Sequence, residues 1–252
     1  MTTNKNQIIR LASILKDSKK IVFFGGAGVS TESNIPDFRS ADGLYKQKYD
    51  FPPETILSHD FFVSNPEYFY QFYKEKMIYE EAKPNKAHFV LNKLEQMGKL
   101  KSIVTQNIDN LHQMAGSKKV LELHGSVYRN YCLNCHKFYP LEEVIKQNGV
   151  PHCSCGGIIK PDVVLYQEKL NMEVIGEAIN DISTCDTLIV GGTSLIVYPA
   201  ASFINYFLGD HLVIINKTAT DYDYKAELVI KDSIGKVLDE AYKLFINELE
   251  EK

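Results

Sequence analysis

The sequence has no excess of positive charge. Its 32 aspartate and glutamate residues outnumber the 28 lysines and arginines, which gives a formal net charge of −4. Domains that bind nucleic acids in general carry a basic patch or stripe. The composition therefore argues against direct nucleic-acid binding.

Long apolar runs are missing as well. No stretch approaches the roughly 20 consecutive apolar residues of a membrane-spanning helix. Residues 1–20 are polar, mixed in charge and helix-like, and they lack the apolar segment of a signal peptide. We therefore expect a cytoplasmic protein that does not associate with membranes.

Cysteine is scarce, with five residues in the chain, and without an export signal we expect no disulfides. A Cys-x2-Cys pair and a Cys-x-Cys pair, separated by residues 136–152, offer the four soft ligands of a tetrahedral zinc site. Because thiolates fill all four positions, the predicted zinc is structural and not catalytic. The predicted ligands are Cys132, Cys135, Cys153 and Cys155.

The fifth cysteine, Cys185, stands alone before a predicted strand, and we expect it to be a small buried apolar residue. The other four could instead belong to a zinc ribbon that binds nucleic acid. That alternative is disfavoured because few lysines and arginines surround the cluster.

Apolar strands alternate with amphipathic helices along most of the chain. The first helix is predicted over 5–17 and the first buried strand over 21–24, and a clear amphipathic helix follows over 85–98. This alternation predicts an α/β fold built on a mostly parallel, doubly wound sheet with a small cysteine module inserted. More locally, we expect a helix beginning near Ser30–Glu32, a strand over 162–166 and a helix over 198–209.

Two segments interrupt the alternation. Residues 40–85 are rich in aromatic side chains and have only short helical pieces, which predicts a mobile loop followed by a small helical module. Residues 128–162 carry the cysteines and many turn residues, which predicts an inserted zinc-ribbon module. The α/β domain then comprises 1–39, 86–127 and 163–252.

The stretch "IVFFGGAGVSTESNIPDFRS" runs from a buried strand into a glycine turn. A dinucleotide-binding fingerprint has the form G-x-G-x-x-G, but here Thr31 occupies the place of the third glycine. A dehydrogenase also needs an acidic residue about 20 positions further on, at the end of a second strand. That region reads as a loop, so a hydride-transferring enzyme is disfavoured.

Polar residues follow four of the predicted strands. In an open parallel sheet, ligands collect beyond the carboxyl ends of the strands. A single residue there is most often a helix cap, but four such ends beside a glycine turn that can receive phosphate indicate a ligand site. The residues are Asn107, Asp109, Asn110 and His112, then His124 and Ser126, then Thr193 and Ser194, and finally Asn216.

Five motifs occur in order along nearly the whole chain: "GAGVSTESNIPDFRS", "TQNIDNLH", "HGS" before Cys-x2-Cys, "GTSLIVYPA" and "IIN". Together they resemble the sirtuins, the NAD-dependent protein deacylases, and in particular the bacterial protein deacetylases. The resemblance implies a large Rossmann-like domain, a small zinc-ribbon and helical module, and an active site in the cleft between them.

The resemblance also implies roles for individual residues. His124 would be the general base, with Asn107 and Asp109 as further catalytic residues, and the products would be free lysine, nicotinamide and 2′-O-acetyl-ADP-ribose. NAD would be a co-substrate that is consumed. Its implied contacts are Gly26, Ala27, Gly28, Ser30, Thr31, Phe38, Arg39, Gln106, Asn107, Ile108, Asp109, His124, Gly192, Thr193, Ser194, Asn216 and Asp232.

An acetylated protein or peptide is the implied partner. It would lie as a strand between "VVLYQE" and "LIVYP", in contact with Val164, Tyr166, Gln167, Glu168 and Val197. Sirtuins usually read Phe-Gly-Glu where this chain has Tyr-Gln-Glu, so Gln167 could alter peptide docking. The tyrosine and arginine pair that marks a preference for acidic acyl groups is missing from 70–85, which favours acetyl or another uncharged acyl group.

Other functions remain open at this point. Mono-ADP-ribosyl transfer to protein could use the same NAD pocket. A binding module that senses NAD without chemistry is less favoured, because His124 and the "QNID" stretch are both present.

Overall fold

The computed structural model describes residues 5–38, 43–44 and 47–250. Its centre is a sheet of six strands, all paired in parallel, in the order β3-β2-β1-β7-β8-β9, with strands numbered along the chain. The strand order therefore reverses between β1 and β7. These strands are β1 (Ile21–Gly25), β2 (Leu100–Thr105), β3 (Val120–Glu122), β7 (Thr187–Gly191), β8 (His211–Ile215) and β9 (Leu228–Ile230).

Helices cover both faces of this sheet, because its strands are apolar on both sides. Ile21 and Phe23 of β1 pack against one layer of helices, and Val22 and Phe24 pack against the other. The first layer consists of α1 (Lys5–Asp17), α5 (Lys86–Gln96) and α9 (Ile234–Glu250). The second consists of α8 (Met172–Thr184) and a 3₁₀ helix over Ala200–Tyr206.

A second, antiparallel sheet has the order β5-β4-β6. Val127 and Val163 of this sheet share an apolar cluster with the helices between residues 53 and 76. The strands are β4 (Gly125–Cys132), β5 (Phe138–Pro140) and β6 (Ile159–Val163). The remaining helices are α2 (Pro53–Ile56), α3 (His59–Ser64), α4 (Pro66–Lys76), α6 (Leu111–Met114) and α7 (Leu141–Ile145).

The predicted fold class is confirmed: a doubly wound parallel sheet carries a smaller module that holds the four cysteines. The domain boundaries themselves stay a prediction. None of the helices in the described part of the chain is long and apolar enough to cross a membrane.

Two local expectations were wrong, and a third was right in position but not in the type of helix. The helix near Ser30–Glu32 is a pair of single 3₁₀ turns, and Asn34 ends the second with a left-handed φ of 62°. The strand over 162–166 stops at Val163 and pairs with β4 in the small sheet. The helix over 198–209 is of the 3₁₀ type, and the Ser202 hydroxyl donates to the Pro199 carbonyl at its start.

Candidate active site

A cavity of about 800 Å³ lies between the carboxyl ends of the parallel strands and the smaller module. Residues of the parallel-sheet domain and of the smaller module line it together. Gly26, after β1, and Asp232, after β9, are two of those from the parallel sheet. Every cofactor and peptide contact implied by the resemblance lines this cavity, except Arg39, which lies outside the described residues. Of the strand-end residues predicted to form a ligand site, Asn110, His112 and Ser126 do not line it. The site is therefore at the point where the strand order reverses, as expected for an open α/β sheet.

The glycine turns after β1 and β7 are in direct contact. The Gly28 N–H donates to the Gly192 carbonyl at 2.7 Å. A Cβ atom on Gly28 would lie 2.8 Å from the Gly192 Cα atom, and one on Gly26 would lie 2.8 Å from the Thr193 Cβ atom. Side chains at these positions would force the turns apart, so the glycines are required by this approach.

A hydrogen-bonded chain links the glycine turn to the end of β2. The Asn107 amide donates to the Ser30 hydroxyl oxygen at 3.0 Å, and that hydroxyl donates to Asp109 Oδ2 at 2.6 Å. Asp109 Oδ1 accepts from the Leu111 N–H, so the carboxylate also caps the start of α6. Burial raises the pKa of the Asp109 carboxyl, although the Ser30 hydrogen bond acts in the opposite direction.

His124 follows β3 and is held in one tautomer. Its Nδ1 atom is 2.9 Å from the Gln106 carbonyl oxygen, which can only accept, so Nδ1 carries the proton and donates. In the neutral ring, Nε2 is then left as the basic nitrogen. Burial lowers the pKa of His124, because the charged ring is disfavoured away from water, while the Gln106 contact acts in the opposite direction.

Polar side chains also connect the strand ends across the sheet. Gln106 follows β2 and Thr193 follows β7. The Gln106 side-chain amide donates to the Thr193 hydroxyl at 3.1 Å, and this hydrogen bond crosses the end of β1, which lies between the two strands. Further along, Asn216 donates to the Thr218 carbonyl. Asp232 accepts from the Ser233 N–H at 2.7 Å and pairs with Lys236.

Residues 164–168, which were predicted to contact the substrate peptide, form one rim of the cavity. It begins beside the histidine, since the Val164 N–H donates to the His124 carbonyl at 3.0 Å. Tyr166 and Gln167 are exposed, and Glu168 is half-buried. Val197, on the opposite side, also lines the cavity.

The four cysteines of the small sheet converge on one point. Their sulfur atoms all lie within 4.8 Å of one another, with Cys132–Cys155 at 3.4 Å and Cys135–Cys153 at 3.5 Å. A tetrahedral zinc with Zn–S bonds of about 2.3 Å requires sulfur separations of about 3.8 Å. The cluster therefore fits a four-thiolate zinc site.

Hydrogen bonds to Cys153 favour the thiolate form of this residue. The Cys155 N–H and the Tyr139 hydroxyl donate to Cys153 and help to lower the pKa of its thiol to about 5. A Cβ atom on Gly157 would lie 2.7 Å from the Cys132 sulfur, so only glycine leaves room at this turn. Deprotonated cysteine is the form that binds metal.

A model of the Sir2 family matches residues 26–199, more than half of the chain. The chain belongs to the Sir2 family. The NAD-dependent protein deacetylase of Clostridium perfringens is 63% identical to it over 237 residues, which cover 92% of this chain and 97% of that one. The one from Clostridium acetobutylicum is 61% identical over 238 residues, covering 93% and 97%.

The fold of this chain is also similar to that of solved Sir2 structures. A structure that shows the basis for the mechanism and regulation of Sir2 enzymes has a TM-score of 0.89 and 40% identity, and the match covers 97% of this chain and all of the other. The resemblance to sirtuins is thereby confirmed, together with the expectation of an NAD-dependent enzyme with a four-cysteine site compatible with structural zinc.

Some cavity residues of this Sir2-family chain were not predicted from the sequence. Ser233 directly follows Asp232 at the end of β9, so the strand-end rule could have found it. Lys217 and Thr218 follow Asn216 in the same way. Leu57 and Tyr73 come from the helical module, and no sequence pattern indicated that their side chains reach the cavity.

Replacing Cys132 by serine should remove the zinc and unfold the small sheet, since zinc binding supplies folding free energy to such sites. Bound metal can be measured by elemental analysis, and folding by thermal denaturation. Cys185→Ala is the matched control, because Cys185 packs in the apolar core with residues of α8 and is not one of the four clustered cysteines. A Cys132→Ser protein that keeps its zinc and its melting temperature would contradict this structural role.

Proposed function

We propose that this chain is a protein lysine deacetylase that transfers the acetyl group of acetyl-lysine to ADP-ribose. NAD and water would be consumed, and free lysine, nicotinamide and 2′-O-acetyl-ADP-ribose released. The observation that carries this proposal is His124, which lines an NAD-sized cavity and keeps Nε2 as its basic nitrogen because Nδ1 donates to the Gln106 carbonyl. Named deacetylases among its relatives support the same activity.

The described residues fit NAD by their chemistry. The turns after β1 and β7 meet backbone to backbone at Gly28 and Gly192, and a glycine turn of this kind suits a pyrophosphate. The half-buried carboxylate of Asp109 can accept from the amide of nicotinamide, with Asn107 and Ser30 holding it in place. Solved Sir2 proteins include complexes with ADP-ribose and with NAD and a peptide, which supports this assignment.

We assign the rest of the predicted cofactor set to the same molecule. Thr193, Ser194, Asn216 and Asp232 lie at the ends of β7, β8 and β9 and would hold the adenosine half. Phe38 would cover the reactive ribose carbon from water. The other predicted cofactor contacts that line the cavity are Ala27, Thr31, Gln106, Ile108 and Gly192. Arg39 stays a predicted contact of the phosphates.

Bound NAD supplies an activated ribose carbon, with nicotinamide as the leaving group. The task of the chain is then to receive a proton from a ribose hydroxyl, and His124 Nε2 is the group available for it. Burial lowers the pKa of His124 and so favours the neutral ring, in which the fixed tautomer leaves Nε2 unprotonated. Asp109 and Asn107 contribute by orienting nicotinamide and its ribose.

The acetyl-lysine peptide would bind along the rim formed by 164–168, with Val197 on the opposite side. Backbone pairing of this kind tolerates many sequences. A solved Sir2 histidine-to-alanine variant holds a deacetylated peptide and 3′-O-acetyl-ADP-ribose, which supports a shared peptide and ADP-ribose site. Mono-ADP-ribosyl transfer to protein is the second candidate, because it would use the same NAD cavity.

His124→Ala should lower kcat/KM for an acetyl-lysine peptide about 100- to 10,000-fold, the usual contribution of a general base. Mass spectrometry of the peptide and a nicotinamide assay measure this directly. His211→Ala is the matched control, since His211 begins β8 at the opposite end of the strand and pairs with Glu227. Deacetylation by the His124→Ala protein at the control's rate would remove His124 as the base.

The pH dependence should follow from the lowered pKa of His124. Protonation inactivates a base, and a lowered pKa means that protonation occurs only at a lower pH. The acidic limb of the kcat/KM profile should therefore lie below the ordinary histidine value of about 6.5. Initial rates between about pH 5 and 8 test this, and a limb centred above that value would contradict the role of burial.

A further inference from the structure

Gln167 has a backbone conformation that is unusual for its residue type. Its φ angle is +75°, in the left-handed region. This region costs a residue with a Cβ atom about 1–2 kcal/mol, and it persists only where the surroundings hold it. The contacts of Gln167 should therefore show what holds it.

The side chain of Gln167 makes two hydrogen bonds to a single residue, Asp60. The Asp60 N–H donates to Gln167 Oε1 at 3.0 Å, and Gln167 Nε2 donates to Asp60 Oδ2 at 3.0 Å. The Asp60 N–H can only donate, so it must face the amide oxygen of Gln167. The Asp60 carboxylate can only accept, so it must face the amide nitrogen, and both contacts therefore require the same orientation of the Gln167 amide. Asp60 lies in the first turn of α3, 107 positions away in sequence.

The backbone beside this pair is also joined to the helical module. The Tyr166 N–H donates to the Leu57 carbonyl at 2.9 Å, and the His59 N–H donates to the Tyr166 carbonyl at 3.0 Å. Glu168 then contacts His59 and Lys160 at 3.1 Å. The rim segment is therefore attached to the module at three successive residues.

Two backbone groups of the rim remain available. Within the described residues, neither the Gln167 N–H nor the Val164 carbonyl has a protein partner. Both belong to the segment that lines the cavity. An extended peptide requires such a donor and acceptor to pair with a protein edge.

We propose that the Gln167–Asp60 pair is a positioning device that holds the rim, residues 164–168, in the conformation that receives the substrate peptide. This rests on the proposed deacetylase function. At one end the Val164 N–H joins the rim to the His124 carbonyl, and at the other end Gln167 joins it to α3. The pair thus sets where a bound acetyl-lysine lies relative to the base. Preorganising a binding segment increases affinity by lowering the entropy lost on binding.

The test uses charge instead of truncation. Gln167→Glu places a second carboxylate against Asp60, which like-charge repulsion disfavours. Asp60→Asn alone keeps an acceptor oxygen for the Gln167 amide, and in the double variant the amide introduced at position 60 can donate to the new carboxylate. We expect Gln167→Glu to raise the peptide KM about fivefold or more, Asp60→Asn to change it little, and the double variant to restore it.

If the Gln167–Asp60 pair only stabilised the fold, Gln167→Glu would also change kcat and the KM for NAD. The positioning role predicts that it does not. The kcat and the KM for NAD should stay within about twofold of wild type. Hydrogen–deuterium exchange should be faster at the Tyr166 and His59 amides in Gln167→Glu and normal in the double variant. An unchanged peptide KM, or a raised KM that the double variant does not restore, would overturn the proposal.

The two proposals can fail separately. If the wild-type chain does not deacetylate peptide with NAD, the proposed function fails, and fluorescence anisotropy with a labelled acetyl-lysine peptide replaces KM. Weaker binding by Gln167→Glu, restored in the double variant, would then still support the positioning role. No binding by any variant, or equal binding by all, would overturn it.

Discussion

The contact between the two glycine turns at the reversal point of the parallel sheet holds the site together. β1 and β7 are neighbours, and the chain leaves their carboxyl ends in turns that pack backbone against backbone. Because no side chain separates these turns, Ser30 comes close enough to Asn107 and Asp109 for hydrogen bonds, and Gln106 can reach Thr193. A small displacement of either turn would disturb all of these contacts together.

The small sheet supplies the second support, at His124. β4 begins at Gly125, directly after the histidine, and β6 ends one residue before Val164, whose N–H donates to the histidine carbonyl. Gly125 allows this convergence, since a Cβ atom there would lie 1.8 Å from the Asp162 carbonyl oxygen. The cysteine cluster joins the far ends of the same strands, so a structural zinc held there would support the position of His124 from a distance.

Local patterns in the sequence predicted most of this architecture. The apolar strands, the glycine turn and the two cysteine pairs are each specified by neighbouring residues, and the strand-end rule placed Asp109, His124 and Asn216 at one cavity. Features that depend on distant partners could not be predicted. The end of β6 at Val163 depends on pairing with β4, and the conformation of Gln167 depends on Asp60. Arg39 lies outside the described residues and stays a prediction.

The most direct test of this account is the NAD affinity of Gly28→Ala, measured by isothermal titration calorimetry. The new Cβ atom would lie 2.8 Å from both the Cα atom and the carbonyl oxygen of Gly192, so the turns must separate. If NAD binds only when the turns are in contact, the overpacking cost of about 1–3 kcal/mol must be met on binding, which corresponds to at least roughly a fivefold loss of affinity. Gly176→Ala in α8, where no atom lies within 4 Å of the added Cβ, should bind NAD like wild type. Wild-type affinity in a folded Gly28→Ala protein would contradict the claim that this contact builds the cofactor site.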